Sequence, residues 1–368
     1  MRRLVLLVLL SAAGFLAKAQ NEDQMLVMFW NLENFFDWTD QGTGDSDTEF
    51  SLNGNRHWTS KRFYSKCDAI AKTIFHLGDE CGRLPDVIGL AEIENRGVVE
   101  KLCASTLLRK CGYSIVHFDS KDRRGIDVAF IYRKSHYELL SSSLKTPEID
   151  GYKLPTRDML HICLRHRKSG NIYDYIVCHH PSKFGGEELS RTKREAAMYS
   201  LKEMCDSLGN NNLIVMGDFN DTPDAEQFRI IEDNIINKSE SMYESGRGTI
   251  RYEGKWELID MFLVSADLDS FTEMDILEIP FLMTRESCHA GQKPLRTYSG
   301  PRYLGGVSDH CPVVLLIKLS FMPFVILFKL LSLNAFNRNY YEKCFLGTSV
   351  ASCSFMYCST YRYSRNRV

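Results

Sequence analysis

The chain has 368 residues, 44% of them hydrophobic and 25% charged, with 24 Gly and 10 Pro. That balance belongs to a chain that folds around a core, and it excludes a disordered, collagenous or coiled-coil protein. The formal net charge of −2 argues against a protein that coats nucleic acid through many Lys and Arg contacts to phosphate, but not against an enzyme with a local basic patch.

The chain opens with a basic Met1-Arg2-Arg3, an apolar run from Leu4 to Leu16, and Ala17-Lys18-Ala19 ahead of Gln20. This is the pattern of a secretory signal peptide over residues 1–19. The run is shorter than the roughly 20 apolar residues a bilayer span needs, so no stable membrane span is expected. The location implied is outside the cell or in a bacterial periplasm. Without residues 1–19 the Lys and Arg count falls from 45 to 42 against 47 acids, a net charge of −5. Residues 321–368 carry six Lys or Arg and one Glu, and setting them aside as well leaves −10. The body of the protein is acidic.

Short apolar, β-branched runs then recur along residues 20–320, which read as one folded domain. Met25–Trp30, Val87–Ala91, Tyr113–Phe118, Val128–Tyr132, His161–Leu164, Tyr175–Cys178, Leu213–Met216, Met261–Val264 and Val313–Leu316 predict strands. Thr59–Leu77 predicts a helix, with Phe63, Ile70, Ile74 and Leu77 on one face and Gly78 as its stop. Ser190–Leu208 predicts another, capped by Ser190 and ended by Gly209. Helices are too few to cross over between every strand pair, so the fold class is α/β with a mixed sheet, or two packed sheets with helices outside. Nine Cys fall in this region, an odd number with no zinc or redox spacing, and buried free thiols are the expectation. From Phe321 onward the apolar stretch is interrupted by Lys329 and then loses any period. Its readings are a membrane-associating tail, a partner-binding extension or a stretch without a selected structure, and the last is favoured.

Several of the predicted strands run into polar residues of catalytic type. Asn31 follows Met28-Phe29-Trp30, Glu92 follows Ile88 to Ala91, and His179 follows Ile176 to Cys178. Asp218 and Asn220 follow Ile214 to Gly217, Asp260 follows Leu258-Ile259, and Asp309-His310 precede the last strand. Taken singly, each fits an Asx turn, a solvated strand end or a satisfied core histidine. Together they suit hydrolysis of a phosphate ester, which needs carboxylates for a hard cation, a base for water and donors for the developing negative charge. Glu92 and Asp309 supply carboxylate ligands, Asp260 and His310 a carboxylate–histidine pair, and His179 a donor to phosphoryl oxygens. Asp218, Asn220 and Asn31 would position water and substrate.

The chain resembles the exonuclease–endonuclease–phosphatase superfamily, with the pancreatic-deoxyribonuclease-like fold, over roughly Gln24 to Leu319. The matching pieces are WNLENFFD from Trp30, LAEIEN from Leu90, RRGIDVAF from Arg123, HHPSKFGG from His179, MGDFND from Met216, WELID from Trp256 and GGVSDHCPV from Gly305. The resemblance is strongest to a secreted bacterial branch, through His57-Trp58-Thr59-Ser60-Lys61 and the loop Pro181 to Gly186. It implies a four-layer α/β sandwich of two mixed sheets with the site at one end. It also implies Mg²⁺, with Mn²⁺ as an alternative, held by Glu92 with Asn31 and Asp309. Asp218 and Asn220 would orient the nucleophile or leaving group, His310 with Asp260 behind it would act as base or phosphate ligand, and His179 would stabilise the transition state. Two departures stand out: Cys178 where the family usually has Asn, and Lys183-Phe184 where two arginines are common. Arg124, Arg157 and Lys183 are candidates for substrate phosphate.

The expectation is therefore a secreted, monomeric phosphoesterase acting by in-line attack of water, with nucleic acid as first choice of substrate. A lipid headgroup or small phosphoester is the alternative, with Phe35, Phe36 and Phe184 as weak candidates for a sphingomyelinase-like apolar loop. A non-catalytic binding module would have shed at least one of the site residues, and none is missing. A zinc site on His179 and His180 is disfavoured, because adjacent residues on a strand point to opposite faces.

Overall fold

The computed structural model describes residues 24–318 apart from 43, 184 and 185. The expected signal segment, the stretch 321–368 and Phe184 lie outside the described residues. Every predicted strand is present. The first sheet is built from β1 (Gln24–Phe35), β2 (Val87–Ile93), β3 (Tyr113–His117), β4 (Asp127–Arg133), β11 (Thr272–Ile276) and β12 (Val313–Lys318), in the order β11-β12-β1-β2-β4-β3. The second is built from β5 (Tyr137–Lys145), β6 (Met159–His166), β7 (Ile172–His179), β8 (Leu213–Asp218), β9 (Ile235–Asn237) and β10 (Asp260–Ser265), in the order β9-β10-β8-β7-β6-β5.

The period of two in β1 sets the layering. Met25, Val27 and Phe29 face one core shared with Val177, Met216 and Phe262 of the second sheet. Leu26, Met28 and Trp30 face a second core shared with helix α1 (Ser60–Cys81) and helix α2 (Arg96–Ser105), through Phe63, Ile70, Ile74 and Val98. Helix α3 (Glu187–Leu208) covers the far side of the second sheet with Met198, Leu201 and Met204. Two mixed sheets face to face with helices outside result, as the alternation predicts.

Each sheet holds one parallel pair, β1 with β2 and β7 with β8, and every other pairing is antiparallel. A parallel pair needs a crossover, and the two long helices α1 and α3 lie in those two connections. The carboxyl ends of β1, β2, β7 and β8 and the amino ends of their antiparallel partners β10, β12 and β4 therefore carry the residues singled out above. All nine described cysteines are free thiols.

Two helix boundaries differ from expectation. Gly78 does not stop α1; it is buried against Leu84, which a Cβ there would meet at 2.7 Å. The stop is Gly82, in the left-handed conformation at φ 66°. Ser190 does not cap α3, which starts at Glu187 after Gly186. Its hydroxyl instead accepts from the guanidinium of Arg194 one turn on, at 2.9 Å. Strands β5, β9 and β11 and helix α2 have no counterpart in the prediction. β5 is an edge strand with a mostly polar, half-exposed sequence, and α2 is a short helix set by Asn95, whose side chain accepts from the Val98 N–H at 3.2 Å.

Candidate active site

Asp218 ends β8 and is 2% exposed. Its Oδ2 accepts from the Asn31 side-chain amide at 2.9 Å, and its Oδ1 accepts from the Asn220 N–H at 2.9 Å. His179, the next strand's equivalent, brings Nε2 to 3.6 Å from the same Oδ2, and His310 brings Nε2 to 3.9 Å. Asp260, paired across β10 with Asp218, places Oδ2 at 2.7 Å from His310 Nδ1. Ser308 locks the end of the first sheet to this group: its hydroxyl donates to the Asn31 carbonyl at 2.6 Å and accepts from the His310 N–H at 3.0 Å.

The charges in this cluster are shifted by their surroundings. Burial and the neighbouring Asp260 charge push Asp218 up to about 7. Burial opposes a charge on His310, but Asp260, Asp218 and Asp309 outweigh it and hold the imidazole well above its ordinary value. Burial, with the positive charges of Arg157 and Arg124, holds His179 well below its own. The result is one charged and one neutral imidazole on either side of one carboxylate, an arrangement able both to donate and to accept a proton.

Glu92 stands apart from this trio, on β2. It has φ 59°, as Glu33 and Asn34 on the adjoining strand have φ 47° and 53°. The β1–β2 register shifts between Asn31 and Phe35, and the β2–β4 register between Ala91 and Ile93, so neighbouring strands bulge side by side. Bulges re-aim side chains at sheet edges and active sites. Here the Glu92 carboxylate accepts from the Asn34 N–H at 2.7 Å and from both Nη atoms of Arg124 at 3.2 Å. Burial raises its proton affinity, yet the Arg124 charge prevails and the carboxyl is lowered, so it stays ionised. Asp309 pairs with Arg296 Nη2 at 2.9 Å.

The candidate phosphate residues fall into different places. Arg124 lies against Glu92 and donates to the Asn34 side chain at 2.6 Å. Arg157 is buried, with one arm on Asp122 at 3.1 Å and the other on the His180 carbonyl. Lys183 is held near Asp221, at 3.4 Å. The adjacent histidines diverge as the strand geometry requires: His180 packs edge-on against Phe219, with ring centroids 4.9 Å apart.

Four residues escape a reading of the sequence. Glu33 is buried and accepts from Arg296 Nε at 3.0 Å and the Thr297 N–H at 2.7 Å; burial and the Asp309 charge push it up to about 7. Lys66, inside α1, donates to the Glu33 carbonyl at 2.7 Å and the Thr297 hydroxyl at 2.9 Å. Burial lowers its ammonium to about 8 against the pull of Glu33, Glu92 and Asp309. Arg296 bridges Glu33 and Asp309, and Asn34 positions Glu92. A signal that could have found Glu33 and Asn34 is their place in the strand-end segment after Asn31; Lys66 and Arg296 carry none.

The donor set suits a hard divalent cation. Glu92, Asp309 and Asn31 offer only oxygen, with Glu92 ionised and aimed by a bulge, and oxygen is what Mg²⁺ takes. Among the described residues the tightest His/Asp groupings are His117–Asp119–Asp127 and Asp218–Asp260–His310. In the latter, His310 Nδ1 is already taken up by Asp260.

Structural comparison finds the same architecture in several solved proteins. The human Nocturnin catalytic domain with bound sulfate matches at TM-score 0.52 and 16% identity, over 81% of this chain and 95% of that one. An endonuclease/exonuclease/phosphatase family protein from Bacteroides thetaiotaomicron matches at TM-score 0.54 and 14% identity, over 81% and 98%. A mannosyl-6-phosphatase from Bacteroides thetaiotaomicron matches at TM-score 0.52 and 14% identity, over 80% and 99%. At such identities these likenesses establish the fold. No curated protein matches the chain in sequence. Residues 26–319 match the endonuclease/exonuclease/phosphatase family as a whole. With the strand-end carboxylates, amides and histidines in place on that fold, the chain belongs to the endonuclease/exonuclease/phosphatase family, whose members are phosphoric ester hydrolases.

Proposed function

We propose that the protein is a secreted, Mg²⁺-dependent phosphoesterase that hydrolyses its substrate by direct in-line attack of water. The observation that carries this reading is the convergence of Asn31, Glu92, Asp218, Asn220, His179, Asp260 and His310 at one end of two packed sheets, with an acid–imidazole pair at 2.7 Å inside it. Glu92 and Asp309, supported by Asn31, would hold the cation, which supplies charge neutralisation at the phosphoryl group when bound. Asp218, fixed by two hydrogen bonds, orients the attacking water and takes up its proton. Asn220, whose amide is tied to the His180 carbonyl at 3.0 Å, holds the water or the leaving oxygen on the Asp218 side. His179 donates to a phosphoryl oxygen, and His310, held by Asp260, does the same or protonates the leaving group. Water adds to phosphorus as the ester P–O bond breaks, and no covalent enzyme intermediate forms.

A nucleic acid phosphodiester is one substrate class for this site. A small phosphoester is the second, and the acidic body favours it, because an enzyme that follows a long polyanion presents a basic face. Hydrolysis of supercoiled plasmid, RNA, bis-p-nitrophenyl phosphate, p-nitrophenyl phosphate and sphingomyelin, with Mg²⁺ and with EDTA, tests the reading. Mg²⁺-dependent turnover lost in Asp218→Ala is the expected result. A folded protein inert on all five with Mg²⁺ or Mn²⁺ refutes it.

A further inference from the structure

A second group of metal-ligating side chains stands outside the strand-end cluster, on the hairpin of β3 and β4. His117 ends β3, Asp127 opens β4, and the turn between them carries Asp119. One donor atom from each of the three lies within 4.8 Å of the others. His117 is 8% exposed, yet its Nε2 has no hydrogen-bond partner among the described residues. It faces Asp127 Oδ2 at 3.3 Å without hydrogen-bond geometry. The other Asp127 oxygen is taken, since Oδ1 accepts from the Ser120 N–H at 2.8 Å. Asp119 brings Oδ1 to 4.0 Å from the ring's Nδ1, and its side chain is 84% exposed.

A buried ring nitrogen that faces a carboxylate oxygen with no bond between them is an unfinished arrangement, because an unsatisfied buried polar group costs free energy. A metal ion would complete it. Neutral imidazole and ionised carboxylate are both metal ligands. Zn²⁺ holds nitrogen and oxygen at distances that set two ligands of a tetrahedral ion roughly 3.3–3.5 Å apart. The Nε2 to Oδ2 separation of 3.3 Å already has that value. Asp119, on the solvent side, turns in as the third ligand and marks the entry path, and water fills the fourth position. One imidazole among two carboxylates favours Zn²⁺ over Mg²⁺ or Ca²⁺, which take oxygen.

The place of the group in the fold gives such an ion a task. Hydrogen bonds step from Asp127 along the turn toward Glu92. The Asp122 N–H donates to the Ser120 hydroxyl at 3.3 Å, and the Arg124 N–H donates to Asp122 Oδ1 at 2.8 Å. The Arg124 guanidinium then reaches Glu92 at 3.2 Å. Asp122 also holds Arg157 at 3.1 Å. We propose that His117, Asp119 and Asp127 form a second metal site, which takes Zn²⁺ and clamps the turn that carries Arg124. It shares no residue with the strand-end cluster and does not depend on the phosphoesterase reading.

The test is calorimetric titration of the EDTA-stripped protein with Zn²⁺, together with amide hydrogen exchange over residues 120–124. Glu92→Gln serves as the background, so that a cation held at the strand ends is not counted. At least one equivalent of Zn²⁺ should bind there. Adding Asp119→Asn, an exposed change that the fold tolerates, should weaken that equivalent at least 10-fold, and His117→Gln should abolish it. Zn²⁺ should slow exchange over residues 120–124 at least fivefold in the Glu92→Gln protein and not once Asp119→Asn is added. No Zn²⁺ bound by the folded Glu92→Gln protein would overturn the site, as would an affinity that Asp119→Asn leaves within threefold. Binding that leaves the exchange of residues 120–124 unchanged would overturn the clamp. Ca²⁺ or Mg²⁺ bound more tightly than Zn²⁺ through the same three residues would overturn the assignment of the metal.

Discussion

Asp218 is the residue on which the cluster turns, since Asn31, Asn220, His179 and His310 all address its carboxylate. Asp218→Asn keeps the shape and removes the charge, so the fold should hold while kcat falls by at least about 10²-fold, the scale of a lost general base. A stopped assay with thermal melting on the same sample checks both halves, and kcat within threefold of wild type would remove Asp218 from the chemistry. His180 makes the contrasting case of a residue that matters for stability. Burial, with Arg157 and Arg194 nearby, lowers it to about 3, so the fold keeps it neutral while the unfolded chain protonates near pH 6.5. The unfolded state thus binds more protons below that pH, and stability present above pH 6.5 is lost progressively as pH falls toward 3. Between pH 7.5 and 4.5 the loss through this one group is about 2–3 kcal/mol. Urea unfolding at the two pH values should show His180→Gln with a smaller loss than wild type by about that amount; equal losses would mean the ring is solvated. At this scale the sequence was most readable where a polar residue ends an apolar run, as with Asn31, Glu92 and Asp218. It was least readable for Lys66 and Arg296, because a lysine in an amphipathic helix and an arginine in a loop look like solvent-facing charges until the fold buries Lys66 and pairs Arg296 with Glu33.

At the level of elements, what places the site is a departure from regular strand geometry. A regular strand would send Glu92 to the face opposite Ala91 and Ile93, but its φ of 59° and the register shift beside it turn the side chain to the strand end. Little in the residue types announces that bulge: Asn34 tolerates left-handed backbone, but at Glu33 and Glu92 it is costly, and such residues cluster at functional sites. The strands themselves were legible because buried parallel pairs read as unbroken apolar runs, whereas β5, polar and at an edge, has no such run to read. Helix ends were half legible. Gly209 closes α3 as its sequence implies, at φ 81°, but two glycines near the end of α1 compete and the chain uses the second. Gly82→Ala forces a Cβ into left-handed backbone, at a cost of about 1–2 kcal/mol. Gly78→Ala keeps helical backbone but meets Leu84. Chemical denaturation of both variants separates the two causes: Gly82→Ala should be rescued by Gly82→Asn, which tolerates that conformation, and failure of the rescue would place its cost in packing.

On the scale of the whole molecule, the site exists because two sheets are pressed together so that β1 and β2 end beside β7 and β8. Gly89 of β2 lies against Met216 of β8, and a Cβ there would stand 2.5 Å from the Met216 sulfur. Gly89→Ala should therefore cost about 1–3 kcal/mol by overpacking, and a thioether can yield where backbone cannot. The global charge then limits what the assembled site can attract. Residues 20–320 carry a net charge of −10, so a long polyanion would be repelled except where Arg124 and Arg296 face it, and both already serve carboxylates. A protein that neutralises six to ten phosphates loses about 10³–10⁵ in affinity between 50 and 200 mM salt. A site that grips one phosphate through a cation has few counterions to release. Its kcat/KM should change by less than about fivefold over the same range, and initial rates on the preferred substrate at four KCl concentrations measure the slope directly. A steep slope would require several phosphates to be held at once. It would put a nucleic acid strand across the strand-end site.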